Sequence, residues 1–373
     1  MGIRQELPHA MRLGKRLVNP VGDGPALLVQ FITSRCNAHC DHCFDTARQT
    51  EENAARDLTL EELTAIASKM SQPYFTILTG GEPFLRKDVG QIILNWATNA
   101  RPRVLALPTN GSRPEYVAKT VEWVLPQLPA DVYLSINVSL DGVGDLHDEL
   151  RGTPGLFAKA CKTIGKLQEL AKRHDNLGVG VVSVMSAQNQ HVMEDIMDFV
   201  LDDLGLEIWA PFLVRGEPRD PESLKVDIRR YEEVSRRFEQ RISSRDYGGY
   251  KGFVGARLNS AKNVARRAII AKTVREDRRI VPCSAGRHSA VIYADGGVFA
   301  CEIQNFEMGN LRDWDYDLSA LWRSAEAEAA RTKVDCHGCV CTHENVLTTS
   351  VAYAWRQWPA IAQWTTRLMA SGR

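Results

Sequence analysis

"SRCNAHCDHCFD", residues 34–45, carries Cys36, Cys40 and Cys43 at the spacing C-x3-C-x2-C, directly behind the apolar run "LLVQFIT" (27–33). A tetrahedral metal site or a cubane iron–sulfur cluster asks for four protein ligands, and this loop offers three thiols. His39 and His42 lie within it and could complete a structural zinc shell. Zinc pairs, however, usually come as C-x2-C with a second pair at a distance. A cubane held by three thiolates leaves one iron uncovered, open to a small chelating molecule. The loop starts at the end of an expected strand, where parallel α/β folds gather their chemistry.

That strand is the first of six. "LLVQFIT" (27–33), "YFTILTG" (74–80), "RVLALPT" (103–109), "YLSINVSL" (133–140), "LGVGVVSVM" (177–185) and "LEIWAPFLV" (206–214) read as buried strands, with helical patterns between most of them. In "TLEELTAIASKM", Thr59 and Glu62 form a capping box ahead of Leu63, Ile66, Ala67 and Met70 at helical spacing. Further helices are expected from near Asp88, Pro114, Gly155 and Asn189. Such alternation implies a parallel sheet covered by helices. Periodicity leaves open a doubly wound sheet or a partial barrel.

The 373 residues suffice for one large domain and an appendage. With 46 Lys+Arg against 46 Asp+Glu, bulk charge argues for no nucleic-acid partner. The start lacks the apolar core of a secretory signal, and no apolar run is long enough to cross a bilayer. Nine cysteines, an odd and clustered set, favour metal ligation in a reducing cytoplasm over disulfides. Cys161, within an expected helix, reads as a core thiol.

Residues 215–280 look helical and hold 18 Lys/Arg against 10 Asp/Glu, around a connector "YGGYKGF" (247–253). A solvated helical face is the plain reading. The sharper one is an electrostatic cradle for an anionic substrate. From Cys283 a small cysteine-bearing module begins. "AVIYADGGVFAC" reads as a hairpin turning at Asp295-Gly296-Gly297, and a helix "DLSALWRSAEAEAARTK" then leads to "CHGCVCTHE".

C-x3-C-x2-C on the first strand–loop, followed by a strand ending in Gly80-Gly81-Glu82-Pro83, resembles the radical S-adenosylmethionine (radical SAM) superfamily. The resemblance implies that Cys36, Cys40 and Cys43 hold a 4Fe–4S cluster whose open iron takes the amino and carboxylate groups of SAM. A partial (β/α)6 barrel of the TIM type is implied with it. So are SAM contacts at Gly80, Gly81, Glu82 and Pro83, whose segment would otherwise be a plain strand-to-helix turn. Asn110 stands in "TNG" (109–111), similar to the family's motif. Ser139 and Asp141 stand in "SLDG" (139–142), ahead of Arg151; the serine is implied to touch SAM and the arginine to pair with its carboxylate. Val182, Ser183 and Met185 are expected along the adenosine pocket.

The C-terminal order resembles the SPASM/twitch appendage of this superfamily, with Gly296 five residues before Cys301. One auxiliary 4Fe–4S cluster is implied, held by four of Cys283, Cys301, Cys336, Cys339 and Cys341. The expected set is Cys283, Cys301, Cys336 and Cys339, with Cys341 competing for the last place or serving as a hydrogen-atom donor. A structural zinc site stays open on spacing alone.

The expected organisation is an N-terminal extension (1–26), a barrel (27–214), a helical linker (215–282), a twitch/SPASM-like module (283–349) and an aromatic tail (350–373). The expected reaction is reductive cleavage of SAM and hydrogen abstraction from a small substrate, an anionic one on the cradle reading, leading to oxidation, epimerisation or rearrangement. A peptide maturase is the alternative. It is weakened by the short stretch before the first strand, which has no room for a leader-binding domain. A non-catalytic metal-stapled scaffold is the remote one. A one-electron donor such as a flavodoxin or ferredoxin is implied as partner, and a homodimer stays open. The tail, with Trp355, Trp358 and Trp364, is expected to pack on protein rather than lie on a membrane.

Overall fold

The structure, a computed structural model, describes residues 11–12, 14–244 and 256–370. The connector "YGGYKGF" lies outside the described residues. The six expected strands form as β1 (Leu27–Thr33), β2 (Phe75–Gly80), β3 (Val104–Thr109), β4 (Tyr133–Ser139), β5 (Leu177–Met185) and β6 (Ile208–Leu213). They pair in parallel, each with its neighbour in sequence. A doubly wound sheet reverses strand order at a switch point. This one runs from first to sixth without reversal, the winding of a partial (β/α) barrel.

The crossovers carry α1 (Leu60–Ser68), α2 (Val89–Asn95), α3 (Pro114–Val124), α4 (Leu156–Ala171) and α5 (Met193–Asp198). The expected capping box starts α1: Glu62 N–H donates to Thr59 Oγ1 at 3.2 Å, and Thr59 N–H donates to Glu62 Oε2 at 2.8 Å. Leu63, Ile66 and Ala67 of that helix are fully buried. Alternation along β1 divides the interior. Leu28 and Ile32 join the helix-side core, whereas Leu27, Val29 and Phe31 face inward, into a second cluster with Val291 and Tyr293.

Beyond β6 come α6 (Ile228–Ser244) and α7 (Ala256–Glu276), the expected helical linker. The C-terminal module extends the barrel's own sheet. Its β7 (Ser289–Ile292) lies parallel to β1, and β8 (Gly297–Phe299) and β9 (Glu307–Asn310) follow antiparallel. Gly296 turns the expected hairpin at φ +90°, where an added Cβ would stand 2.9 Å from Asn310 Oδ1. The helix expected after it is broken in two, Leu318–Trp322 and α8 (Ala325–His337), because Ser324 accepts from Ala327 N–H and caps a new start.

Then follow α9 (Glu344–Tyr353) and α10 (Trp358–Ala370). The tail packs on protein as expected: α10 lies along α7 and buries Ile361 and Leu368, with Trp355 left exposed. Among the described residues no helix is long and apolar enough to cross a membrane.

Candidate active site

The loop after β1 is clamped at its root. Asp57 accepts from Thr33 Oγ1 at 2.9 Å and from Ser34 N–H at 3.0 Å. Its middle is tied to the segment after β4, where His39 N–H donates to the Arg151 carbonyl at 2.9 Å. Its far end is tied to the loop after β6, where Arg219 N–H donates to the Cys43 carbonyl at 3.1 Å. Three strand ends therefore hold one cysteine loop in place.

Cys36, Cys40 and Cys43 all line a cavity of about 330 Å3 at the C-terminal ends of the strands. Burial pushes the Cys36 thiol up to about 12 and raises Cys40 and Cys43 as well. Such thiols stay protonated until a cation replaces their protons. Cys43 Sγ already accepts from Gln49 Nε2 at 3.5 Å, the kind of bond that supports a cluster ligand. Three desolvated thiols on one wall fit an iron–sulfur cluster with one open iron. Among the described residues no three of His, Cys, Asp and Glu are grouped to hold a single metal ion. All nine cysteines are free.

The two glycines of Gly80-Gly81-Glu82-Pro83 border the cavity, but the crowding is with the cysteine loop itself. A Cβ on Gly80 would lie 2.2 Å from the Thr33 carbonyl oxygen, and one on Gly81 would lie 2.1 Å from that of Arg35 and 2.9 Å from Cys36 Cβ. Glu82 is 1% exposed. It accepts from Thr109 Oγ1 at 2.8 Å, Asn110 N–H at 2.6 Å and Phe84 N–H at 3.1 Å. Thus it locks the ends of β2 and β3 together. Burial raises its pKa, against those three donors. Asn110 in turn donates to Asn37 Oδ1, in the cysteine loop, at 2.8 Å.

Glu82, Asn110, Ser139 and Arg151 line the cavity with the glycines. Asp141 and Pro83 do not. Asp141 is fully buried beneath the loop, where Arg151 grips one carboxylate oxygen at 2.6 and 2.7 Å and His42 Nε2 approaches it at 3.3 Å. Burial opposes its charge, but Arg151 and His42 hold its pKa below the usual carboxylate value. The expected contact of Asp141 with SAM is therefore replaced by a role beneath the loop. On β5, Val182 and Val184 face the cavity, while Ser183 bonds Trp209 Nε1 at 2.9 Å and Met185 is in the core. Strand alternation sets this, so Ser183 and Met185 leave the expected pocket wall.

The C-terminal thiols separate into four and one. Cys283, before β7, Cys301, after β8, and Cys339 and Cys341, between α8 and α9, lie close enough that the other three press on the Cys341 thiol. Burial, the larger cause, pushes Cys341 up to about 12 and Cys301 up to about 11. Backbone N–H groups of Ile303 and His343 donate to Cys301 Sγ at 3.4 Å and Cys341 Sγ at 3.3 Å. Cys336 is exposed, because α8 runs on to His337 and carries it on the last turn. Cys341 thus takes the place expected of Cys336. Cys341 is absent from the cavity wall, where a hydrogen-atom donor to a bound substrate would stand.

Two features were missed from sequence. One is a polar bridge between the thiol groups. Glu302 accepts from Asn345 Nδ2 at 2.8 Å, faces His343 Nε2 at 3.2 Å and sits 3.8 Å from Arg215, which pairs with buried Glu344 at 3.0 Å. Burial works against the Glu302 charge, yet His343 and Arg215 hold its carboxyl down to about 2. The other is the set of linker residues that face the cavity: Asn259, Lys262, Asn263 and Arg266 of α7. The basic composition of the linker was the only signal for it.

The family model described as Radical SAM superfamily matches residues 31–200, and that described as the SPASM iron–sulfur cluster-binding domain matches residues 283–341. The chain is 27% identical to an AdoMet-dependent heme synthase of Methanosarcina barkeri, over 82% of this chain and 84% of that one. In fold it is similar to Streptococcus suis SuiB bound to precursor peptide SuiA, with TM-score 0.60 and 14% identity, covering 88% of this chain and 72% of that one. It is also similar to anSMEcpe with bound AdoMet, with TM-score 0.54 and 14% identity, covering 93% of this chain and 98% of that one.

Proposed function

We infer that this chain, which belongs to the radical SAM superfamily and carries a C-terminal SPASM iron–sulfur domain, abstracts a hydrogen atom from a small anionic substrate. The observation that carries the reading is a single cavity with three thiols on one wall and a basic helix face on another. When bound, the 4Fe–4S cluster and SAM supply one-electron cleavage to methionine and a 5′-deoxyadenosyl radical. Cys36, Cys40 and Cys43 would hold the cluster. Gly80, Gly81, Glu82, Asn110, Ser139 and Arg151 would frame SAM, with Asp141 fixing Arg151 from below. The apolar wall of Val182, Val184 and Phe212 would exclude water from the reacting centre.

Cys283, Cys301, Cys339 and Cys341 would hold the auxiliary cluster, and with all four positions filled by thiolates it would suit electron transfer rather than substrate ligation. A flavodoxin- or ferredoxin-like donor completes the proposal. Its outcome is oxidation or rearrangement of the substrate. Deuterium transfer from labelled candidate carboxylic acids into 5′-deoxyadenosine, in anaerobically reconstituted and reduced protein, tests it. Transfer from none of them sinks the small-acid reading. Modification of a peptide is the second reading. Its support is the fold shared with SuiB, which was solved bound to precursor peptide SuiA.

A further inference from the structure

The face that α7 turns to the cavity is polar, and it lies beside a buried apolar stripe on the same helix. Asn259, Lys262, Asn263 and Arg266 fall at helical spacing i, i+3, i+4 and i+7 and share the cavity wall. Ala261, Val264, Ala265, Ile269 and Ile270 are buried among the neighbouring helices. Polar groups enclosed against a cavity need partners. Asn259 Oδ1 accepts from Lys262 Nζ at 2.7 Å, and Arg266 Nη1 donates to Thr348 Oγ1 at 2.6 Å, its guanidinium 5.6 Å from the Phe212 ring.

Among the described residues no carboxylate comes within ion-pair distance of Lys262. The acidic groups that share the cavity are engaged elsewhere. Glu82 is held by Thr109 and Asn110, Glu302 by His343 and Asn345, and Asp45 by Arg48 at 3.5 Å. The other cations of the wall are Arg151, paired with Asp141, and Arg215, paired with Glu344. On α6, Glu239 and Glu232 serve Arg267 and Arg275 instead. Burial, with the Arg266 charge beside it, pushes the Lys262 ammonium down to about 7. An arriving anion would reverse that shift.

We propose that Lys262 and Arg266, one turn apart on α7, form an anion-binding subsite that takes a carboxylate or phosphoryl group of the substrate. Asn259 and Asn263 flank it as neutral donors. The subsite deepens the small-anion reading above and rests on it. It fixes which end of the substrate faces α7 and which end is left to the cysteine wall.

The test is competitive acylation of lysines at neutral pH, read by peptide mass spectrometry, on protein with both clusters reconstituted and SAM present throughout. Lys262 should react readily, and glutarate or inorganic phosphate should slow it by about fivefold or more. Glutaramide should not, and exposed Lys159 should be indifferent to all three. Protection by glutarate alone assigns a carboxylate, and protection by phosphate alone a phosphoryl group. The variant R266Q should keep the Lys262 reaction and lose most of the protection. Equal acylation with and without both anions would overturn the subsite. So would a Lys262 that reacts only in a parallel sample without SAM, which would give the cation to the cofactor. Formation of 5′-deoxyadenosine is measured separately, so failure of the subsite and failure of the radical reading are told apart.

Discussion

Gly81 has no room for a side chain, and the group in its way is the backbone of the cysteine loop. The contact at 2.1 Å from the Arg35 carbonyl cannot be relieved by a rotamer change. G81A should therefore displace Cys36 and cost cluster loading rather than global folding. Iron and sulfide analysis checks this: the variant should lose roughly half of its iron, the share of one of two clusters. A second residue-scale prediction separates the last cysteines. C341A should lose roughly four iron atoms per chain and C336A none. Loss in C336A with full loading in C341A would restore the set expected from spacing.

At the scale of elements, Glu62 does two jobs. It closes the capping box of α1, and it receives Arg312 from the C-terminal module at 2.8 and 3.1 Å, with Tyr316 hydroxyl at 3.0 Å. The Arg312 bonds, chief among the causes, hold its carboxyl down to about 2. A carboxyl depressed in the folded state stabilises fully above its unfolded value of about 4.3, and that contribution fades as pH falls toward 2. E62Q keeps a side chain able to cap, so it isolates the ion pair. It should cost on the order of 0.5–1 kcal/mol at pH 7, discounted for the half-open Arg312, and the gap to wild type should close on acidification. Denaturant unfolding at pH 7 and pH 3 measures both.

Lys262 has the opposite sign. Its ammonium is lowered to about 7 from an ordinary 10.5, so folding discourages its charge and this group's contribution rises with pH between those values. K262M should raise the melting temperature at pH 7 by about 2 °C or more, with the gain shrinking toward pH 10. A fall at pH 7 would mean that Lys262 is a structural partner rather than a cation held for a ligand. The cavity's other charged groups (Asp45, Glu82, Arg151, Arg215, Arg266 and Glu302) are unchanged in that comparison.

For the whole molecule, the feature with most consequence is that the sheet does not stop at the barrel. β7 pairs with β1 from Leu27↔Ser289 to Gln30↔Ile292, so the strand that feeds the cysteine loop also carries the C-terminal module. Glu302, Arg215 and Glu344 bridge the remaining gap. The six barrel strands were legible because each is a short apolar run bounded by turn residues, and the cysteine loop because its spacing is local. Strand order was not, since periodicity carries no neighbour information. The exclusion of Cys336 depends on where α8 ends, and the burial of Asp141 under the loop on contacts ten or more residues away. Which residues of α7 meet the cavity escaped because charged side chains lie on several sides of that helix, and a sequence does not show which side faces what.

We place radical generation at Cys36, Cys40 and Cys43 in the wall of the cavity of about 330 Å3, and this is the claim to be tested. The direct measurement is 5′-deoxyadenosine formed from SAM by the anaerobically reconstituted, reduced protein, compared with C36A, C40A and C43A prepared alike. Wild type should form it and each variant should fall to background, with the auxiliary iron retained. Absence of 5′-deoxyadenosine in the iron-loaded wild type, or undiminished formation in C40A, would contradict the claim.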